Sequence, residues 1–169
     1  YRVNAGFIPK NSWIQDPDIG GGRIIGECCH FFDLFNYFIE ADIDSIQANS
    51  VPVNSATVVA RDNISATIKW SEGSVSTLIY TALGHETLPK ERIEIFADGN
   101  ALVIDDFKEL RLHGFHEKGV KLGRQDKGHR QELLEIAHFM QGKKLEAMKF
   151  EDVVKAMKIT FDVEKQLRK

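Results

Sequence analysis

The sequence predicts an α+β fold in which an open, mostly antiparallel β-sheet carries helices on one face. Between residues 62 and 113, apolar and polar residues alternate and turn sequences interrupt the alternation, which is the pattern of consecutive hairpins. Helical spacing of apolar residues is found before this region, around 20–38, and again from 129 to the end. With 169 residues and 43% hydrophobic content, the chain fits one compact domain that covers residues 1–169.

The first strand is predicted at residues 1–8 (YRVNAGFI), which are rich in strand formers and are followed by Pro9. Residues 10–19 then form a loop that ends at a run of glycines. Trp13 in this loop is either a packing anchor or part of the entrance to a pocket.

Gly20, Gly21 and Gly22 lead directly into a helix that is predicted to run to about Phe38. Glycines permit backbone angles and close approaches that a Cβ would forbid, so they suit a tight turn beside a ligand or another backbone. At about 100° per residue, the apolar residues that follow fall on one arc, which predicts a side that faces the core. They are Ile24, Cys28, Phe31, Leu34, Phe35, Phe38 and Ile39.

Two polar side chains give this helix its candidate chemistry. Glu27 points into the apolar arc, which is reasonable in a first turn, where the helix end can open into a cleft and the helix dipole favours negative charge. His30 follows three residues later, a spacing that allows the two side chains to meet and to handle protons together. The alternative interpretation is that His30 is a structural residue at the edge of an apolar face.

Cys28 and Cys29 precede His30 directly, but adjacent helical residues point about 100° apart and do not converge on one ion. Both cysteines are therefore interpreted as small buried apolar residues, and no metal site is predicted.

The sheet continues with a strand over 42–53 and two hairpins. The first joins 64–70 to 74–82, and the second joins 92–97 to 101–105 through the turn sequence Asp98, Gly99, Asn100, with a further strand over 107–113. Antiparallel sheets usually bury one face, and the second face is interpreted as a protein interface because it mixes polar and apolar side chains. According to register, that face carries Ser65, Thr67, Ser76, Leu78, Tyr80 and Phe96.

The last third of the sequence returns to helices. Residues 115–127 are polar and glycine-punctuated and are predicted to be irregular. Residues 129–141 then carry an apolar side that is formed by Leu133, Leu134, Ile136, Ala137 and Met140, with Gly142 as a stop signal. A second amphipathic helix is predicted over 150–169.

Bulk composition excludes several classes of function. The net charge is −3 and no basic run interleaves with aromatics, so nucleic acid is not an expected partner. No apolar run is long enough for a membrane span and no signal peptide is visible. Two adjacent cysteines are a poor disulfide framework, which predicts a cytoplasmic location. Because the sequence begins at Tyr1 inside a predicted strand, we expect it to be part of a longer protein.

Taken in order, these motifs resemble the C-terminal domain of the Gfo/Idh/MocA oxidoreductases. The resemblance rests on the strand YRVNAG, the loop with Trp13 and Asp16, the sequence GGGR, and His30 with Asp33; DGN at 98–100 and DDF at 105–107 support it. It implies a dihydrodipicolinate-reductase-like C-terminal domain without the N-terminal Rossmann domain. It also implies an NAD(P)-dependent dehydrogenase acting on a sugar, nucleotide sugar or polyol. The absent Rossmann domain would hold most of the NAD or NADP, while this domain supplies substrate contacts, catalytic groups and the face that forms a homo-oligomer.

The resemblance also implies site residues. His30 is the matching catalytic position, and Glu27 is a candidate substitute for a family aspartate whose position is occupied here by Gly26. Gly21 and Gly22 are expected beside the cofactor. Candidate contacts to a carbohydrate substrate are Asn4, Lys10, Trp13, Arg23 and Asp33.

The implied reaction is oxidation of a secondary alcohol, or the reverse reduction. His30 would take the hydroxyl proton as hydride leaves the carbon for the nicotinamide, and Glu27 would fix the tautomer of the imidazole and stabilise the imidazolium. Two alternatives stay open: a non-catalytic sugar-binding or assembly module that retained the fold, which Gly26 would favour, and a free-standing sheet domain of other function. The isolated domain is expected to be inactive, because it contains no nucleotide-binding βαβ unit.

Overall fold

The computed structural model describes residues 1–52, 57–144 and 149–168. Within these ranges the strands are β1 (Arg2–Asn4), β2 (Ile43–Ser50), β3 (Asn63–Trp70), β4 (Val75–Thr81), β5 (Glu91–Ala97), β6 (Asn100–Asp105), β7 (Glu109–His113) and β8 (Val120–Lys121). The helices are α1 (Cys29–Phe38), α2 (His129–Met140) and α3 (Phe150–Leu167). One π-helical turn (Ile24–Cys28) and two 3-10 turns (Trp13–Gln15 and Ala60–Asp62) complete the elements. No helix in the described ranges is both long and apolar enough to cross a bilayer.

The chain divides into two compact units, Tyr1–Lys90 with Glu151–Lys169, and Glu91–Phe150. In the first unit the strand order is β2-β3-β4-β1, with β1 parallel to β4 and the other neighbours antiparallel. In the second unit β5, β6, β7 and β8 are antiparallel neighbours in chain order. The prediction of a mostly antiparallel α+β sheet is therefore confirmed.

The core of the first unit lies between one face of its sheet and the helices α1 and α3. Alternate residues of β3 and β4 point to this face, and their partners on the helices are apolar because both helices carry an apolar side at helical spacing. Buried members are Val3, Ile24, Cys28, Phe31, Phe32, Phe35, Ile64, Ala66, Ile68, Trp70, Leu78, Tyr80, Ile159 and Val163. The prediction that helices cover one face of the sheet is confirmed in this unit.

The register of β4 corrects the predicted division of the sheet into faces. Leu78 and Tyr80 pair with Ala66 and Ile64, and both are fully buried on the helix side instead of lying on the second face. Ser76 faces the same way, because its Oγ accepts a hydrogen bond of 3.0 Å from the buried Trp70 indole. Ser65 and Thr67 do lie on the outer face, which β4 completes with Val75, Thr77 and Ile79.

Several element boundaries differ from the predicted ones. Strand β1 ends at Asn4, because Gly6 has a φ of +74° that leaves the extended region. Helix α1 is preceded by a π-helical turn, and the segment predicted as irregular contains the short strand β8. Strand β2 lies inside the predicted 42–53 strand, whose final residue falls outside the described ranges.

The second unit contains the predicted hairpin turn and helix α2. Asp98 and Gly99 have φ values of +50° and +77°, as a tight turn between β5 and β6 requires. Helix α2 is followed by Gly142 at φ +83°, which agrees with the predicted stop. Its apolar residues are largely exposed within the described part of this unit, Met140 at 82%.

Candidate active site

The candidate site begins at a loop that Asp16 organises ahead of α1. Its carboxylate Oδ1 accepts hydrogen bonds from the backbone N–H groups of Asp18 and Ile19, and its carbonyl accepts from Gly20 and Gly21. This is the local bonding that makes aspartate a favoured turn residue. Trp13 lies in the 3-10 turn of the same loop with 66% of its side chain exposed, so it is not a buried packing anchor within the described structure.

The glycine run is required by the geometry of this loop. A Cβ on Gly20 would lie 2.5 Å from the Trp13 carbonyl oxygen and 2.5 Å from the Ile14 Cα, distances that no side chain can relieve. Gly21 and Gly22 have φ values of +71° and +82°, which non-glycine residues rarely adopt. In the part of the chain that the structure describes, no atom beyond the adjoining backbone lies within 4 Å of the position that a Cβ on Gly22 would take, so a ligand can approach the backbone there.

The π-helical turn places Glu27 against the sheet. Turns of this kind occur often at functional sites, because the extra residue re-aims the side chains that follow. The Tyr80 hydroxyl on β4 donates a hydrogen bond of 2.6 Å to Glu27 Oε2, and the Arg23 guanidinium lies 3.3 Å from both carboxylate oxygens. Glu27 therefore points towards the core side of the helix, as predicted, and its carboxylate is bonded there to the polar groups of Tyr80 and Arg23.

Arg23 is buried, and its contacts are with its own chain. Its Nη1 donates to the Gly6 carbonyl at 2.5 Å and its Nη2 to the Ala5 carbonyl at 3.0 Å. The guanidinium also lies over the Tyr80 ring, 5.1 Å from the centroid. With 2% of the residue exposed, Arg23 holds Glu27 and the chain after β1 together, whereas the sequence had suggested a substrate contact.

His30 lies in the first turn of α1 with its side chain exposed. Among the described residues no hydrogen bond or ion pair joins it to Glu27, whose contacts go to Tyr80 and Arg23 instead. Asp33 lies three residues further along α1, and the charge of His30 acts on the pKa of its carboxyl group. Partial burial and the Asp152 carboxylate raise the pKa of Asp33, and the His30 charge opposes that rise.

Burial also raises the pKa of Tyr80, and the hydrogen bond to Glu27 raises it further. The hydroxyl therefore keeps its proton and acts as a donor to the carboxylate.

Asp62 is a buried acid that lies directly ahead of β3. Gln15 Nε2 donates a hydrogen bond of 2.6 Å to Asp62 Oδ2. Burial raises the pKa of Asp62, with the Glu27 charge acting in the same direction.

The other predicted residues have distinct positions. Asn4 is buried and its Nδ2 donates to the carbonyls of His85 and Leu88, at 2.8 and 3.0 Å, so it anchors the segment after β4. Lys10 is exposed in the same loop as Trp13.

Burial raises the pKa of the Cys28 thiol well above its usual value, and it raises the pKa of the Cys29 thiol to a smaller degree. In the ranges 1–52, 57–144 and 149–168, no group of His, Cys, Asp and Glu could hold a metal ion.

Sequence reasoning missed Tyr80, Asp62 and Gln15. Tyr80 and Asp62 approach the site through the pairing of β3 with β4, and Gln15 approaches Asp62 across 47 positions of sequence. The sequence carries one signal for Tyr80. It lies two residues after Leu78, so both side chains point to the same face of β4, and that face is the buried one.

The site can be compared with known proteins. Residues 1–103 match the model of the GFO/IDH/MocA C-terminal domain. No curated protein matches the chain. Among solved structures, a UDP-N-acetylglucosamine 3-dehydrogenase, GnnA, from Acidithiobacillus ferrooxidans is similar with a TM-score of 0.75 and 17% identity over 98% of this chain and 51% of its own.

Two further structures carry bound ligands. The WlbA dehydrogenase from Chromobacterium violaceum, in complex with NADH and UDP-GlcNAcA, has a TM-score of 0.69 and 15% identity over 99% of this chain and 51% of its own. Biliverdin reductase from Synechocystis, in complex with biliverdin and NADP+, has a TM-score of 0.71 and 13% identity over 99% of this chain and 54% of its own. At these identities the likeness shows a shared fold, and the chain spans about half the length of each of these structures.

Proposed function

Because this chain belongs to the Gfo/Idh/MocA family of oxidoreductases, we propose that it is the substrate domain of an NAD(P)-dependent dehydrogenase. The substrate is a secondary alcohol of a sugar, nucleotide sugar or polyol, and this domain carries the catalytic residues. The observation that carries the proposal is the position of His30: it is exposed in the first turn of α1, directly after a glycine loop and a π-helical turn that fixes a carboxylate.

The residues present fit the approach of a nicotinamide. Gly21 and Gly22 both have positive φ values, and among the described residues no atom beyond the adjoining backbone lies within 4 Å of the position that a Cβ on Gly22 would take, whereas at Gly21 the Ile25 side chain would lie 3.2 Å away. We propose that these two residues lie beside the reactive end of the cofactor, which supplies or takes up the hydride when it is bound. Among the described residues no strand, glycine turn and helix form a nucleotide-binding unit, so the rest of the cofactor is assigned to another part of the protein.

In the direction of oxidation, His30 accepts the proton of the substrate hydroxyl while the C–H bond breaks as hydride and the C=O bond forms. A neutral imidazole suits this task, because histidine changes protonation near neutral pH. Glu27 lies three residues before His30, where Tyr80 and Arg23 hold it, and we propose it as the carboxylate that stabilises the positive charge developing on the ring during proton transfer. The substrate contacts are assigned to the exposed residues Lys10, Trp13 and Asp33, with Trp13 as an apolar platform for a sugar ring, whereas buried Asn4 is bonded to the segment after β4.

The structures of the dehydrogenases named above support a nucleotide sugar as one substrate class, since the WlbA structure contains UDP-GlcNAcA.

A cytoplasmic location is proposed because Cys28 and Cys29 are both free thiols. Assembly into a homo-oligomer is proposed through the outer face of the first unit's sheet.

The test is turnover by the full-length protein. Nicotinamide absorbance is followed with NAD and with NADP against a panel of sugars, polyols and nucleotide sugars. We expect at least one member to be oxidised, and His30→Ala protein to lose that activity. The rival function, a sugar-binding or assembly module, is favoured by Gly26 at the position of the family aspartate. Binding of a panel member without any turnover would support that rival.

A further inference from the structure

The Glu27 carboxylate is held from two sides. From the sheet, the Tyr80 hydroxyl donates to Oε2 at 2.6 Å. From its own helical segment, Arg23 lies 3.3 Å from both oxygens and is itself anchored on backbone carbonyls after β1. The Glu27 side chain is 29% exposed, so it is not sealed into the core.

Tyr80 is the more rigid of the two partners. Its residue is fully buried, and its ring lies 6.0 Å from the Phe31 ring, so core packing fixes the position of the hydroxyl. The only hydrogen bond of that hydroxyl among the described residues is the one to Glu27. A buried tyrosine usually finds a partner for its hydroxyl, but here the partner is a charged group in the candidate site.

We propose that Tyr80 is a positioning residue of the reaction, whose hydroxyl fixes the Glu27 carboxylate one helical turn before His30. This inference rests on the proposed function, because the position matters only if that carboxylate acts on the reacting groups. A fixed charge stabilises a developing opposite charge more strongly than a mobile one, since no reorganisation is needed during the reaction. Tyr80 therefore acts through Glu27 and does not itself contact the substrate.

The kinetic test is a double-mutant cycle on full-length protein. Tyr80→Phe keeps the buried ring and removes only the hydroxyl, and it is expected to lower kcat about tenfold, the scale of one hydrogen bond to a charged group. In a Glu27→Gln background the same change is expected to alter kcat by less than about twofold, because the charge it positions is already absent. Equal effects in both backgrounds, or an unchanged kcat in Tyr80→Phe protein, would overturn the inference.

Ser76→Ala is the matched control. It also removes a buried hydrogen bond from the inward side of β4, the one from the Trp70 indole at 3.0 Å. It is expected to lower Tm and to leave kcat per folded molecule unchanged, so it separates loss of stability from loss of positioning. Incorporation of 4-aminophenylalanine at position 80 restores a donor, and it is expected to recover part of the lost kcat; failure to recover any would count against the inference.

A second readout does not depend on turnover. The carboxyl carbon of Glu27 is observed by nuclear magnetic resonance in the wild-type and Tyr80→Phe proteins at one fixed pH. Its chemical shift is expected to differ between the two proteins, because the variant lacks the hydroxyl that donates to the carboxylate. Arg23 and Asp62, the other charged groups that act on this carboxylate, are present in both proteins.

Identical chemical shifts of the Glu27 carboxyl carbon would reject the proposed bond. A changed chemical shift in a protein that turns over no substrate would reject the proposed function, while it would support the fixing of Glu27 by Tyr80.

Discussion

Tyr80 and Glu27 are joined by a hydrogen bond of 2.6 Å across 53 positions of sequence. The bond connects the central part of the first unit's sheet with the π-helical turn ahead of α1. Since Tyr80 belongs to the buried core, folding of the sheet fixes the position of the Glu27 carboxylate before any ligand binds. Such preorganisation is what electrostatic catalysis requires of a charged group.

His30→Ala in the full-length protein is expected to lower kcat by roughly 10²-fold to 10⁴-fold, the usual weight of general base catalysis. Because His30 is exposed, Tm should change little. His138→Ala, an exposed histidine on α2, is the control and should retain full activity. Steady-state kinetics and thermal denaturation of the same samples provide the measurement. An unchanged kcat in folded His30→Ala protein would remove His30 from the site.

Gly20→Ala is expected to destabilise the protein by about 1–3 kcal/mol, the usual cost of overpacking. The new Cβ would meet the backbone of Trp13 and Ile14 at 2.5 Å, so the glycine loop must move. Gly26→Ala is the matched control, because among the described residues outside its own helical segment its Cβ would meet just the Gly20 carbonyl, at an ordinary contact distance of 3.6 Å. It should be neutral or stabilise by about 1 kcal/mol at most, since alanine is the better helix former. Urea denaturation gives the free energy of unfolding of each variant. An equal loss of stability in the two variants would contradict the close contact at Gly20.

The sequence predicts local features of this protein well. Helix α1, the β3–β4 hairpin and the Asp98–Gly99 turn each depend on residues within a few positions of one another, so periodicity and turn chemistry are sufficient. The π-helical turn is different, because a helical sequence carries no mark of where one extra residue is inserted.

Long-range contacts explain what the sequence did not predict. Tyr80 was placed on the outer face because alternation alone does not say which phase of a strand is buried, and the pairing of β4 with β3 decides it. Arg23 looked like a substrate ligand because nothing local shows that its guanidinium is used by the Ala5 and Gly6 carbonyls. The sequence therefore located the helix of the candidate site but not the groups that hold its carboxylate.

The isolated chain is expected to bind NADH weakly or not at all, because the nucleotide-binding unit is assigned to another part of the protein. Isothermal titration calorimetry of the isolated chain against the full-length protein tests this, with folding of both checked by circular dichroism. Micromolar binding to the isolated chain would show that the cofactor site has been misplaced.

The outer face of the first unit's sheet is expected to pair with a second copy in a symmetric dimer. It mixes hydroxyl side chains with exposed Val75 and Ile79, at 61% and 50%. Ile79→Glu should shift the protein towards monomer, because it introduces a charge into that face. Phe161→Glu, on α3 and therefore on the helix side of the sheet, is the control. Light scattering gives the masses, and a wild-type protein that stays monomeric at high concentration would show that the face is only solvated.

Asp62 should make the stability of the protein depend on pH in the window between its unfolded-state pKa, about 3.9, and its raised folded-state pKa. Burial raises its folded-state pKa above the unfolded value of about 3.9, and the Glu27 charge acts in the same direction, while the Gln15 hydrogen bond opposes the rise. Between the two pKa values the folded state binds the proton more tightly than the unfolded state does. The free energy of unfolding therefore falls as pH rises through this window and levels off above the folded-state pKa.

Asp62→Asn removes this ionisation, so its stability relative to the wild type should grow as pH rises above about 4, until the folded-state pKa is passed. Gln15→Ala removes the hydrogen bond that stabilises the charged form, so it should make the wild-type slope steeper, in the opposite direction to Asp62→Asn. Other groups that titrate in this range, Asp33 among them, are present in all three proteins and cancel in the differences. Urea denaturation at several pH values gives the free energies of unfolding. A constant difference between wild type and Asp62→Asn across the range would mean that the Asp62 carboxyl is not held in the buried position described here.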